Sequence, residues 1–447
     1  MRIIIVGAGE VGFQIAKILA LEVVDVVVID KDKANLKKIS EELDVAVIEG
    51  EGGSPSSLKD AGADNADILL AVTNSDETNM IACLLAKAMF NIPRKIARIR
   101  NPEYFHNEKL LSAGNLDINP AINPELEVAK AVIRLLEIPF ATDVEDFEGG
   151  LIKMIGFKVQ EDTPITGKTM KELGSSLTKK FLLGIIDKGD RTIIPSGDDI
   201  INKDDIIYFP VKKWEVADAL ALLGISAKPP KRIMLLGGGR IGYYIASAME
   251  LKTDVKIIER DPERCKFLSR KLKKSLVLHG DGADQQLLVE EYISDMDIFV
   301  AVSNNEELNI MASLLAKKLG VQKTIAIVNR MDYIPLAHSL GLQAVLSPRL
   351  ITASSILRYV RRGDILALTT IAKGNVEVIE ARVGKTSQLA GKSLKNANLP
   401  KASLIGTIIR DDKIIIPSGD DTIKVDDKLI IFTLRESIKK IEKILIG

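Results

Sequence analysis

The chain has 447 residues, more than one typical core fills, which predicts two to four domains. Its 61 basic and 61 acidic residues cancel and its aromatics are only 4%, which excludes the basic surplus and stacking platforms of a nucleic-acid binder. No apolar run approaches the roughly 18–20 residues that span a bilayer, and Cys83 and Cys265, one in each half, form neither a disulfide framework nor a metal site.

The chain enters a strand directly, "RIIIV" at 2–6, without a signal-peptide layout, so a reducing cytosol is expected. A helix opens over 11–20 after a run of glycines. Strands follow at "DVVVID", "DVAVI", "DILLAV" and "KIARI", with helical spacing between them, clearest at Met80, Leu84, Leu85 and Ala88. Such alternation builds a parallel, doubly wound sheet. After Pro124 a helix carries two apolar stripes, Leu126/Ala129/Ile133/Leu136 and Val128/Val132/Leu135. Two apolar faces need more cover than one domain edge provides. The helix is either a buried connector or an insertion into a neighbouring domain. From about 150 to 210 the rhythm changes to "LIKMIGFKV", "FLLGIID" and "DIIYFPV", strands split by Gly-Asp and Pro-Ser-Gly turns. This small α+β module joins subunits or binds a further ligand, and its lack of clustered polar groups favours assembly.

The second half repeats the first. "IIIVGAGEVG" (3–12) aligns with "IMLLGGGRIG" (233–242), and "AVTNSDETNMIACLLAK" (71–87) with "AVSNNEELNIMASLLAK" (301–317), both 230 residues apart. "NPELEVA" and "SPRLITA" lie 224 apart, and "IIPSGDD" recurs after 222. Smoothly shrinking offsets describe one unit copied with small deletions. The seam is "AKPPKR" (227–232), where two prolines stop any helix. The fold class expected is α/β: two tandem Rossmann-like parallel-sheet domains (1–140 and 231–365), each followed by a small α+β domain (141–227 and 366–447). The "IIPSGDD" echo reads as a turn, with proline fixing φ, glycine permitting positive φ and aspartate capping locally.

Gly7-Ala8-Gly9-Glu10-Val11-Gly12 follows a strand and opens a helix, as does Gly237-Gly238-Gly239-Arg240-Ile241-Gly242. A lone GxGxxG is weak; twice in the required context it points to a dinucleotide or similar diphosphate on a helix N-terminus. The matching acids are Asp30 and Glu259, which end the second strands and accept from ribose hydroxyls. They disfavour a 2′-phosphate, an exclusion softened by Lys31 and Arg260. The loops "GEGG" (50–53) and "GDGA" (280–283), and Thr73-Asn74 with Ser303-Asn304, lie at carboxyl ends of strands, where ligands bind. Glu77/Asn79 and Glu307/Asn309 repeat in the next helix as further site candidates or helix-start caps, and capping is favoured for the glutamates. Arg98 and Arg100 end the fifth strand and suit phosphates, whereas the second half offers Val328 or Asn329 there, with Arg330 after. His106, His279 and His338 are scattered, and no acid–base pair or catalytic triad is present. The residues alone describe a duplicated dinucleotide binder, with an NAD-dependent oxidoreductase as the enzyme alternative.

"IIIVGAGEVG", "AVTNSDETNMIACLLAK", "RIRNPEY" and the paired "IIPSGDD" modules together resemble the TrkA family, the regulatory subunits of Trk-type potassium uptake systems, built from RCK (KTN) domains. The resemblance covers nearly the whole chain. It implies no enzymatic activity. It implies instead a homo-oligomeric, tetrameric ring in the cytoplasm at the inner face of the membrane. There the ring gates an integral-membrane potassium transporter subunit according to bound NAD(H) or ATP/ADP. Carried over, the contacts fall on Gly7 to Val11, Asp30, Glu51, Gly52, Thr73, Asn74 and Arg98, and on Gly237 to Ile241, Glu259, Asp281, Ser303 and Asn304. Many family members read "GDAT" where this chain has "GEGG"; the second copy keeps Asp281 but not the threonine.

Overall fold

In the computed structural model, the residues described are 1–20, 24–138, 140–176, 182–225, 229–360, 365–371, 376–400, 402–411 and 413–446. Phe181, at the head of one expected strand, and Ala227-Lys228 of the seam lie outside them. The first sheet has six parallel strands in the spatial order third (Ala46–Glu49), second (Asp25–Asp30), first (Arg2–Val6), fourth (Ile68–Ala71), fifth (Arg94–Arg98) and a short sixth (Ala121–Ile122). Ile3, Ile4, Ile5 and Val6 are fully buried because helices cover both faces, which is why this strand reads as an unbroken apolar run. The order reverses between the first and fourth strands, so their carboxyl ends open a crevice. The second half builds the same six-stranded order from Arg232–Leu236 onward.

Each small module is a five-stranded antiparallel sheet. Its outer strand, Ala141–Phe147 or Ile365–Ile371, was not expected from the sequence. The two small sheets meet face to face, with Phe147, Ile152, Met154 and Tyr208 against Val376, Val378, Ile430 and Phe432. The repeated "IIPSGDD" is a turn held by its own side chains. Ser196 donates through N and Oγ to Asp199 Oδ2, both at 2.7 Å. Ser418 does the same to Asp421 at 2.7 and 2.8 Å. Those hydrogen bonds hold the Asp199 carboxyl below its ordinary range.

The helix after Pro124 is an insertion. Pro124–Glu137 leaves its own sheet and packs on the helix Arg240–Met249 of the second half, where Val128, Val132, Leu135 and Leu136 join one core with Ile233, Leu235 and Ile245. The equivalent helix, Pro348–Leu357, crosses the other way onto Glu10–Leu19 and buries Ala353, Ile356 and Leu357 with Ile3, Ile15 and Leu19. The two crossing helices also touch each other. Residues of both apolar stripes, Val128, Val132 and Leu135 with Ala129 and Leu136, are thus buried in the core shared with the second half.

The first residue of each fifth strand closes the far end of the other half's crossing helix. Arg94 Nη1 donates to Tyr359 O at 3.1 Å. Lys323 Nζ donates to Leu135 O, Ile138 O and Ala141 O at 3.2, 3.4 and 3.0 Å. These carbonyls lie at or just past a helix C-terminus, where a cation is favoured. Burial nonetheless pushes the Lys323 ammonium down to about 7, against an upward pull from Asp143. An unfolded chain restores the ordinary value of 10.5. Between those two values the unfolded chain binds more protons than the native one. Native stability therefore rises with pH across this window and is lost as pH falls toward 7. In urea titrations, the native chain should gain more stability than Lys323→Met between about pH 7 and about pH 9; parallel profiles would refute this.

Candidate functional site

The carboxyl ends of both parallel sheets, with the starts of the two crossing helices, enclose one cleft of about 900 Å³. Gly7 has φ +112°, which other residues rarely adopt, and its N–H donates to Ile29 O at 2.8 Å. A Cβ on Gly12 would sit 1.8 Å from Gly7 O, so the helix can approach the turn only without a side chain. A Cβ on Gly9 would meet no atom within 4 Å, because it points into open space. Gly237, Gly239 and Gly242 repeat the pattern, with φ +104° and a 2.0 Å approach. Gly238 differs from Ala8 for a packing reason, since a Cβ there would lie 2.4 Å from Leu268 Cδ1.

The strand-end acids brace these loops. Asp30 Oδ2 accepts from Ala8 N and Oδ1 from Asp32 N at 2.8 Å. Glu259 accepts from Gly238 N at 2.7 Å and Asp261 N at 2.9 Å. Gly52 lies so close to Val6 that a Cβ would be 2.1 Å from Val6 Cγ1, and Gly282 repeats this against Leu236 at 2.0 Å. Glu51 reaches Lys31 at 3.7 Å on the rim. The loops after the fourth strands are fixed by buried amides. Asn79 Oδ1 accepts from Thr73 N and Oγ1 at 2.9 and 2.7 Å while Nδ2 donates to Arg98 O at 2.8 Å. Asn309 holds Ser303 identically and donates to Ile327 O at 2.9 Å. Neither asparagine caps a helix; Ser75 and Asn305 do that.

These bonds correct one expectation. The position of Arg98 in the second half is filled by Ile327, not Val328 or Asn329; Asn329 stands in for Arg100. Asp76 receives Arg100 N at 2.9 Å, and Glu306 receives Asn329 N at 2.6 Å. A one-residue deletion before the fifth strand shifts the register.

Arg98 is a half-desolvated cation of the wall. Its Nη1 donates to Asn74 Oδ1 at 2.9 Å, yet its Nε is buried without a partner among the described residues. Burial and then Arg100 push its guanidinium below its ordinary value. A desolvated cation with an unused donor suits an anion.

The cleft gathers Gly7, Gly9, Glu10, Val11, Asp30, Glu51, Gly52, Thr73, Asn74 and Arg98 from the first half, and Ile241, Ser303 and Asn304 from the second. Ala8 and Gly12 stand behind the wall. Gly237, Gly238, Gly239, Arg240, Glu259 and Asp281 do not line this cleft. Sequence reasoning missed Glu125, Arg349 and Thr352, carried in by the crossing helices, and Arg264, whose Nε donates to Gly238 O at 2.6 Å. Glu125 takes Arg100 Nε at 2.7 Å and lies 3.8 Å from Arg240, and Arg349 pairs with Glu10. No group of metal-holding side chains occurs among the described residues, and no helix there is long and apolar enough to cross a membrane.

The TrkA-N domain model matches residues 3–124 and 233–348, and the TrkA-C domain model 154–224 and 378–446. The chain is 36% identical to the Trk system potassium uptake protein TrkA of Halomonas elongata, over 95% of both chains. It is 38% identical to TrkA homolog 1 of Methanosarcina mazei over 94% of both. Among solved structures, the GsuK channel bound to NAD shares the fold at TM-score 0.61 and 18% identity, covering 100% of this chain and 79% of the other. Tandem glycine-loop domains, paired small modules and these full-length matches place the chain in the TrkA family of Trk system potassium uptake proteins.

Proposed function

We propose that the chain is a nucleotide-sensing, non-enzymatic subunit that regulates potassium uptake through a Trk-type membrane transporter. Arg98, whose Nε is buried without a partner among the described residues and which lines the same cleft as the open space at Gly9, is the observation that carries the nucleotide reading. The ligand is NAD(H) or ATP/ADP, both of which bring ribose hydroxyls for Asp30 and a diphosphate for the glycine loop. The NAD in the GsuK channel supports that class. Chains assemble as a tetrameric ring at the cytoplasmic face of the membrane, beneath the transporter.

Ligand acts by population shift. A ligand changes the ring only as far as it binds two shapes unequally. Loops of both halves line one cleft, so ligands that differ at the phosphate or nicotinamide end contact the second half differently and tilt it against the first. Hydride chemistry would need a polarising acid, and the ionisable groups of the wall are carboxylates, guanidiniums and Lys31, itself held by Glu51. Neither relative named above carries an enzyme name. Calorimetric titration of the intact chain with NADH, ADP and ATP tests the reading. Arg98→Ala should weaken the tightest of them by roughly 10- to 100-fold, the effect of one charged hydrogen-bonding group. Unchanged affinity would remove Arg98 from the site.

A further inference from the structure

The contacts between halves are reciprocal, and several of their apolar positions match. On the crossing helices, Val132 corresponds to Ile356, Ile133 to Leu357 and Leu136 to Val360, all apolar. These matched positions do not tell a like half from an unlike one, although Val128 and Leu135 align with Thr352 and Tyr359. The charges are different. Glu10 and Arg240 occupy the same place in the two glycine loops, and Glu125 and Arg349 the same place after the helix-starting prolines. Each pair of counterparts is reversed in sign. Glu10 meets Arg349, and Arg240 meets Glu125, so both contacts between unlike halves are attractive.

We propose that these four residues are a pairing code. They admit the other half of the chain to the cleft face and reject a second copy of the same half. If two first halves paired by this geometry, Glu10 would face the partner copy's Glu125, twice. If two second halves paired, Arg240 would face Arg349, twice. Like charges facing each other raise the free energy of the wrong pair, while the right pair carries opposite charges at both places. Glu125 is only 12% exposed, so solvent screens it little, although Arg100 of its own half shares its charge. Specificity by charge and affinity by apolar packing is the division used where similar helices must choose partners.

The code can be inverted with two substitutions. Glu10→Arg with Arg240→Glu makes each half complementary to itself and puts like charges at both native contacts. Glu10→Arg with Arg349→Glu instead keeps both native contacts attractive while making each half complementary to itself as well, and so separates loss of the native contacts from loss of rejection. Pairing is read with cysteines and a short bis-maleimide, in chains carrying Cys83→Ala and Cys265→Ser. Ser355 Oγ lies 3.2 Å from Glu127 Oε2, so Glu127→Cys with Ser355→Cys reports unlike halves by a link within one chain. Ala131 is the counterpart of Ser355. Two co-expressed chains, one with Glu127→Cys and one with Ala131→Cys, report like halves by a linked dimer.

The native charges should give the internal link and no dimer, and Glu10→Arg with Arg349→Glu should keep the internal link but admit some dimer. The inverted chain should lose more than half of the internal link and gain the dimer. The same linking pattern in the inverted chain as in the native one would overturn the proposal. If the inverted chain does not fold, thermal melting of Glu10→Arg, Arg349→Glu and their combination decides. Each single change should lower the midpoint and the combination should restore it. A combination no more stable than the worse single change would equally overturn the proposal.

Discussion

Gly9→Asp should abolish nucleotide binding in the first half while leaving the fold intact. A side chain at Gly9 meets no protein atom within 4 Å, and the backbone there has φ −65°, open to any residue. The new carboxylate would stand in the space where the diphosphate is expected, facing like charge. The expected loss is on the order of 100-fold in affinity, or about 3 kcal/mol. Gly12→Ala, three residues on, should do the opposite. Its Cβ would lie 1.8 Å from Gly7 O, so the helix or the turn must move. That should cost roughly 2–4 kcal/mol of stability. Calorimetric titration and urea unfolding of both variants separate the two roles. Equal unfolding midpoints for native chain and Gly12→Ala, or full nucleotide affinity in Gly9→Asp, would mean that the loop is misread.

The second large effect is expected far from the ligand. Val132 is fully buried, on a helix whose core lies in the other half of the chain. Val132→Asp places a carboxylate in that core with no counter-ion, and should cost about 4 kcal/mol or more. Val132→Ala, which only empties space, should cost about 2 kcal/mol. Because the helix joins two halves, the loss should also change how they unfold. In differential scanning calorimetry the native chain should lose its two parallel-sheet domains together, and Val132→Asp should separate them. A single transition at the native midpoint would contradict the crossing arrangement.

The parallel sheets and glycine loops were legible because their signals are local. An unbroken run such as Ile3–Val6 needs cover on both faces, and glycines placed between strand and helix have one geometric use. The crossing of Pro124–Glu137 was only half legible. Periodicity shows that two faces are apolar, but not which surface covers them. The strand Ala141–Phe147 was hidden by its burial pattern: the register slips between Ala141 and Asp143, and Val144 and Phe147 bury in different cores, so the buried residues are 141, 144 and 147 instead of alternating. Ile327 was misplaced by one or two positions because the aligned motifs on either side do not show where a deletion falls. Arg349 and Glu125 escaped because their partners in the other half, Glu10 and Arg240, lie more than a hundred residues away. The sign reversal at their aligned positions was the available clue.

The most direct measurement is potassium uptake by cells carrying a Trk-type membrane transporter subunit together with this chain, native or Gly9→Asp, at matched protein levels. With the native chain, uptake should follow the cell's nucleotide state; with Gly9→Asp, it should no longer respond. Identical nucleotide-dependent uptake from both chains would contradict a regulatory role for the cleft.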